Sequence, residues 1–190
     1  MSIYNRQGAA TGKNVIVISD VKTSGNTTSA LIHAEFFDKN GKSINQSVNN
    51  LKCVNGVLMM DMKIFLPADK QEQQNTAIAK AEDFYLEYPA GIKIGDKLKD
   101  GNLNMEFENN GSKSSIEINI TERTVEGKES VTTTAGTWDC YKITSKNKLL
   151  SKIAGVGMPI NTTVTEWYVP GFGVVKTESS MGKTEITSIK

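Results

Sequence analysis

The chain has 190 residues, with 22 Lys and Arg against 21 Asp and Glu, for a net charge of +1. That balance supplies no overall field to draw in nucleic acid or an anionic membrane surface, and no run approaches the roughly 18 apolar residues of a membrane-spanning helix. The length suits one domain, 1–190, around a single well-buried core.

In chain order, Ile3 and Tyr4 lead through a turn-like segment, Arg6 to Gly12, into the compact apolar run Val15-Ile16-Val17-Ile18. Ser24-Gly25-Asn26 marks a turn, and Ala30 to Phe37 is long and apolar enough for a strand. Asp38-Lys39-Asn40-Gly41 closes it, since Asn-Gly adopts the positive φ that matches strand twist. Lys42 to Val48 returns along it, and Asn55-Gly56 turns Leu51 to Val54 into Val57 to Phe65, which Pro67 ends. Residues 68 to 82 are rich in helix formers and contain no glycine, so one short surface helix competes there with an exposed loop.

Alternation is cleanest in the middle of the chain. Leu103, Met105 and Phe107 share one strand face, and after Asn109-Asn110-Gly111 so do Ile116, Ile118 and Ile120, against polar residues on the other face. Half-buried strands of this kind belong to an antiparallel sheet. Val125 to Thr134, Trp138 to Thr144, Thr162 to Val169, Val174 to Glu178 and Thr184 to Ile189 continue it, with Lys146 to Met158 as an insert that is either an extra strand pair or a loop at a barrel mouth.

The fold predicted is all-β: a single antiparallel curved sheet of about ten strands, closing wholly or partly into a barrel so that exposed edges are removed. Within it, Thr163 to Glu178 reads as strand, tight connection and strand around Pro170-Gly171-Phe172-Gly173.

Glu166-Trp167-Tyr168 and Gly171 to Glu178 resemble the closing hairpin of the TapB-like proteins, secreted bacterial envelope proteins related to a larger domain-of-unknown-function family. Val125 to Glu129, Thr132 to Thr137 and Trp138-Asp139-Cys140-Tyr141-Lys142-Ile143 look like that family's strand, turn and Cys-Tyr-Lys-Ile strand, with Thr134 where the family usually has proline. The resemblance implies a barrel-like protein of the periplasm or cell envelope and brings no established activity with it. Met1 to Arg6 lacks the succession of a signal peptide, so the resemblance further implies an exported precursor with a leader, of the lipoprotein type in some readings, outside the supplied sequence.

Nothing in the sequence spells out a reaction. His33 is the only histidine, so a His-rich zinc site is excluded and any Ser-His-Asp or Cys-His unit would have to use it. Asp38 to Ser43 lacks the late bidentate glutamate of a calcium loop, and Gly171-Phe172-Gly173 lacks the helix and Gly-Lys-Ser/Thr of a phosphate loop. Glu126, Glu129, Asp139 and Glu166 show no catalytic spacing. No enzyme activity, cofactor or metal is expected.

Trp138, Trp167, Tyr168 and Phe172 are the candidate binding group, because amphipathic rings near barrel ends line apolar pockets; strand aromatics also serve simply as core. The leading expectation is a non-enzymatic envelope protein holding a lipid or other apolar ligand inside the barrel. The alternative is an assembly module presenting an edge strand or surface patch to an envelope protein partner. The two expectations differ at the interior, which is open to a ligand in the first and filled in the second. Cys53 and Cys140 are compatible with a disulfide in an oxidising compartment and equally with two small buried hydrophobes.

Overall fold

The computed structural model describes residues 1–66, 78–79, 84–109 and 112–190. The strands are β1 (Ser2–Asn5), β2 (Ala10–Ser24), β3 (Thr27–Asp38), β4 (Ser43–Val54), β5 (Val57–Asp61), β6 (Ile78–Ala79), β7 (Tyr85–Pro89), β8 (Gly101–Asn109), β9 (Ser112–Thr133), β10 (Gly136–Ile153), β11 (Pro159–Val169), β12 (Gly173–Ser179) and β13 (Gly182–Glu185), with a 3-10 turn at Met62–Phe65. All thirteen form one sheet in the order β6-β8-β9-β10-β11-β12-β13-β1-β2-β3-β4-β5-β7, with antiparallel neighbours throughout.

The all-β, antiparallel and barrel-like reading holds, with thirteen strands among the described residues in place of about ten. β1 and β13 fall at the segments Ile3-Tyr4 and Thr184 to Ile189 that the sequence marked, Ile116 to Ile120 and Val125 to Thr134 join in the one strand β9, and the two-residue β6 has no counterpart in the sequence reading. The insert at 146–158 is a continuation: β10 runs on to Ile153, and β11 starts at Pro159. The surface helix expected over 68–82 falls mostly outside the described residues; Ile78–Ala79, which is described, pairs with β8.

Local chemistry sets the hairpins. Asn55 and Gly56 both have positive φ, 50° and 80°, as a two-residue turn matching strand twist requires. At the next hairpin upstream, the Asp38 carboxylate accepts from the backbone N–H groups of Asn40 and Lys42 at 2.8 and 2.9 Å, which makes Asp38 to Ser43 an ordinary hairpin turn.

One end of the barrel is filled. Leu86, Tyr88, Leu103, Met105, Ile116, Val125, Ile143 and Tyr168 form its centre, all nearly solvent-free. The sheet's two ends meet there: Gly101 at the start of β8 sits so close to Leu86 of β7 and to Met62 that a Cβ would lie 2.8 Å from both side chains. A second cluster, Val131, Cys140, Trp167 and Val175, lies on the other face of β9–β12, with Ile186 of the C-terminal segment against it.

The opposite side of the barrel is split. β1, β12 and β13 have four, seven and four residues, whereas their neighbours β2 and β11 have 15 and 11. β2 therefore pairs with β1 only over Ala10–Lys13, and β11 pairs with β12 only over Val164–Val169. Beyond those points, among the described residues, no strand pairs with that edge of β2 or of β11.

Candidate functional site

The predicted aromatic group divides between two faces. Trp138 and Phe172 stack with centroids 4.7 Å apart, and Trp138 packs against the cluster that holds Trp167. Tyr168 follows Trp167 in an extended strand, so its side chain points to the other face, where it stacks on Tyr88 at 4.8 Å inside the barrel. Trp167 is held by its neighbours: its indole N–H donates to the Glu129 carboxylate, and Lys176 lies 4.3 Å from the ring centroid. Trp138 and Trp167 thus belong to the outer cluster, exposed Phe172 only stacks on Trp138, and Tyr168 belongs to the interior.

The cysteines follow the same division, and of the two readings left open the structure has the unbridged one, with both thiols free. Cys140 packs with Trp167 on the outer cluster, whereas Cys53 lies on the Tyr168 side, near enough to that phenol to act on it electrostatically. The wall of β10 and β11 stands between them. Burial, then the charges of Asp139 and Glu129, push the Cys140 thiol up to about 11, the reverse of what a reactive thiol needs.

The interior carries a polar network that sequence reasoning missed. Arg123 is 1% exposed and donates from Nη1 to the carbonyls of Glu87, at 2.9 Å, and Lys99, at 2.8 Å. Its guanidinium lies 4.7 Å from the Tyr88 ring centroid, and the Tyr88 hydroxyl donates to Glu166 at 3.0 Å. Burial raises the Glu166 carboxyl above its ordinary value, with the Arg123 charge and the Tyr88 hydrogen bond opposing the rise; burial likewise lifts the Tyr88 phenol well above its own. Arg123 bridges the β7 edge to the segment before β8, so the network braces the barrel's seam.

Among the described residues, the other carboxylates and the histidine singled out in the sequence do not converge on one site. Glu126 accepts from Thr144 Oγ1 at 2.9 Å, and Asp139 is exposed, so neither converges with Glu166. His33 Nε2 lies 2.8 Å from Ser19 Oγ, but Asp20 holds the same hydroxyl at 2.8 Å. A triad needs its carboxylate on the far ring nitrogen. Among the described residues no three of His, Cys, Asp and Glu are placed to hold a metal ion, and no helix is long and apolar enough to cross a membrane. A shallow, open, partly polar pocket of about 210 Å³ lies against Glu87, Ile92, Asp96, Lys97 and Lys99.

The feature that most departs from an ordinary barrel is β2. Val15, Ile16, Val17 and Ile18 are 42%, 39%, 53% and 46% exposed, so an apolar, β-branched strand is open on both faces. Ile16 and Ile18 lie opposite Ala34 and Ile32, two buried residues of the inner face; Val15 and Val17 lie opposite Glu35 and His33 on the outer face. Among the described residues, no strand pairs with one backbone edge of this stretch. Proteins ordinarily shorten, cover or charge such an edge.

Comparison with known proteins agrees with this architecture. The DUF3108-like family model matches residues 1–190. A "putative exported protein with YmcC-like fold" from Bacteroides fragilis NCTC 9343 is 20% identical with a TM-score of 0.75. A "putative lipoprotein" from Parabacteroides distasonis ATCC 8503 is 19% identical with a TM-score of 0.77. Each alignment covers 100% of this chain and 92% of the other, and neither description names a catalytic activity. No curated protein matches the chain.

Proposed function

Because the chain belongs to the DUF3108-like family over residues 1–190, we propose that it is a non-enzymatic protein of the bacterial cell envelope that binds a protein partner by accepting an extended segment along the free edge of β2. The observation that carries this reading is the run Val15–Ile18, apolar, exposed on both faces and, among the described residues, without a paired strand on one side. An added strand would satisfy its backbone groups and cover its side chains together, as in β-augmentation. The envelope location is supported by the descriptions of the two structural neighbours as an exported protein and a lipoprotein. The narrower likeness to the TapB-like proteins belongs to the same reading and is supported by the β11–β12 hairpin that carries their motif.

The lipid or apolar-ligand reading has less support. Aliphatic and aromatic side chains fill the closed end of the barrel, and the open pocket near Lys97 is partly polar.

The experiment is site-specific photocrosslinking in the source cell, with the photoreactive residue at Val17 and, as a control, at exposed Asn50 of β4. Expected are discrete adducts at Val17 that are absent at Asn50. Absence of adducts at Val17, or the same adducts at both positions, would contradict the proposal.

A further inference from the structure

The β10–β11 hairpin ends in Ile153-Ala154-Gly155-Val156-Gly157-Met158-Pro159-Ile160, and its tip is both apolar and fixed. Ala154 and Gly155 have φ values of 50° and 81°, and Ile153 and Val156 exchange backbone hydrogen bonds at 2.9 and 3.0 Å across them. That is a two-residue turn of the kind that matches strand twist. The Ala154 N–H donates to the Lys113 carbonyl at 2.9 Å, which ties the tip to β9. At Asn55-Gly56 the first turn position holds a polar residue that favours positive φ; here alanine takes that place.

Val156 and Met158 are 79% and 86% exposed, and Ile153 and Ile160 are exposed beside them. The last pair between β11 and β12 is Val164 with Ser179. Pro159–Thr163 therefore stands about 17 Å beyond it, at a rise of about 3.4 Å per residue. From Ile153 to Thr165 there is no ionisable side chain. The first charges below the tip are basic: Lys152 on β10 and Lys113 on β9, neither of which forms an ion pair among the described residues. Farther down the hairpin, Lys148 holds Glu117 at 2.9 Å and Lys146 holds Glu122 at 2.7 Å. Glu108, opposite Lys113 in the β8 register, offsets part of that lysine's charge from two strands away. The β1–β2 and β3–β4 turns at the same end add exposed Arg6, Lys39 and Lys42, while Asp38 is engaged by its own turn.

We propose that this tip docks on a phospholipid bilayer with anionic headgroups: Val156 and Met158 enter the interfacial region, and Lys152 meets the phosphates. The inference is independent of the β2 edge. A narrow convex tip offers a protein far less than the roughly 1,200 Å² of a standard interface. A bilayer needs no complementary shape, and it gains from each apolar side chain it takes in and from basic residues just behind them. Lysine stems can follow the apolar surface while their ammonium groups stay at headgroup level. Because backbone hydrogen bonds already fix the turn, docking orders little chain. A net charge of +1 does not oppose it, since the attraction is local and fades within about 10 Å at 0.1 M salt.

The test is co-sedimentation of the full chain with phosphatidylcholine vesicles, with and without phosphatidylglycerol. Binding to the anionic vesicles is expected, weaker without phosphatidylglycerol and at high salt. Val156→Asp with Met158→Asp is expected to weaken it about tenfold or more, and Lys152→Gln about fivefold. Ile94→Asp, at an exposed apolar residue between β7 and β8, is expected to leave it unchanged. All three variants alter surface positions and should keep the far-ultraviolet circular dichroism of the unaltered chain. A chain that stays in the supernatant with both vesicle types overturns the proposal, as does binding that survives Val156→Asp with Met158→Asp intact. If that pair of changes instead lowers the sedimentation coefficient of the lipid-free chain, a second copy covers the tip and the bilayer is the wrong occupant.

Discussion

Replacing Arg123 by methionine tests whether the interior network braces the barrel. The substitution keeps the bulk but removes the donors to the Glu87 and Lys99 carbonyls, each of which costs about 1–3 kcal/mol when left buried without a partner. It also strips Glu166 of the nearby positive charge that opposes its desolvation. These contributions overlap, so the expected loss is about 3–5 kcal/mol, a large share of the stability of a typical domain. Urea unfolding at constant m-value measures it. Arg123→Met with Glu166→Gln should cost less than the sum of the single changes by about 1 kcal/mol or more. A single-variant loss below about 1 kcal/mol would refute the bracing role.

The same network predicts a pH dependence: because burial raises the Glu166 carboxyl in the folded chain, its contribution to stability is most favourable below the unfolded value near about 4.3 and declines as pH rises through the folded value. Arg123→Met extends that decline to higher pH, seen as a shifted Tm–pH curve. Trp167→Ala is expected to cost about 3–5 kcal/mol through transfer and cavity terms, since the ring is buried among Val131, Cys140 and Val175; a loss under about 1 kcal/mol in chemical denaturation would contradict its core placement. Alkylation of the unreduced, denatured chain should label both cysteines, whereas in the folded chain Cys140 stays unlabelled at neutral pH; a mass short by two hydrogens would show a bridge instead. Gly182→Ala places a Cβ 2.1 Å from the Tyr4 carbonyl oxygen at a φ of 149°, so the β1–β13 pairing should lose about 2 kcal/mol or more, read as a lowered Tm.

Much of the fold was legible because it rests on local rules. Leu103, Met105 and Phe107, then Ile116, Ile118 and Ile120, alternate as a one-sided strand must, and they are the centre of the core. The turn at Asn55-Gly56 has the positive φ its residues favour.

The site was less legible because it depends on departures from the period. Glu122 takes a φ of 53°, and after it the buried positions of β9 change from even to odd numbers, so Arg123 enters the interior where strict alternation from Ile120 would leave it outside. Trp167 and Tyr168, grouped as one aromatic cluster by proximity in sequence, go to opposite faces for the reason that any two neighbours in a strand do. The exposure of Val15 to Ile18 has no local signal at all. An apolar run reads as buried, and which strands pair with it is set by the sheet order, not by its own residues.

The account turns on whether the β2 edge is free in the isolated chain, and residue-resolved amide exchange on a dilute monomer measures that most directly. The Ile16 and Ile18 amides should exchange rapidly while Val15 and Val17, bonded to β3, are protected, giving an alternation of two within one strand. Equal protection of all four would mean that the edge is already covered, and the binding role assigned to it would fall.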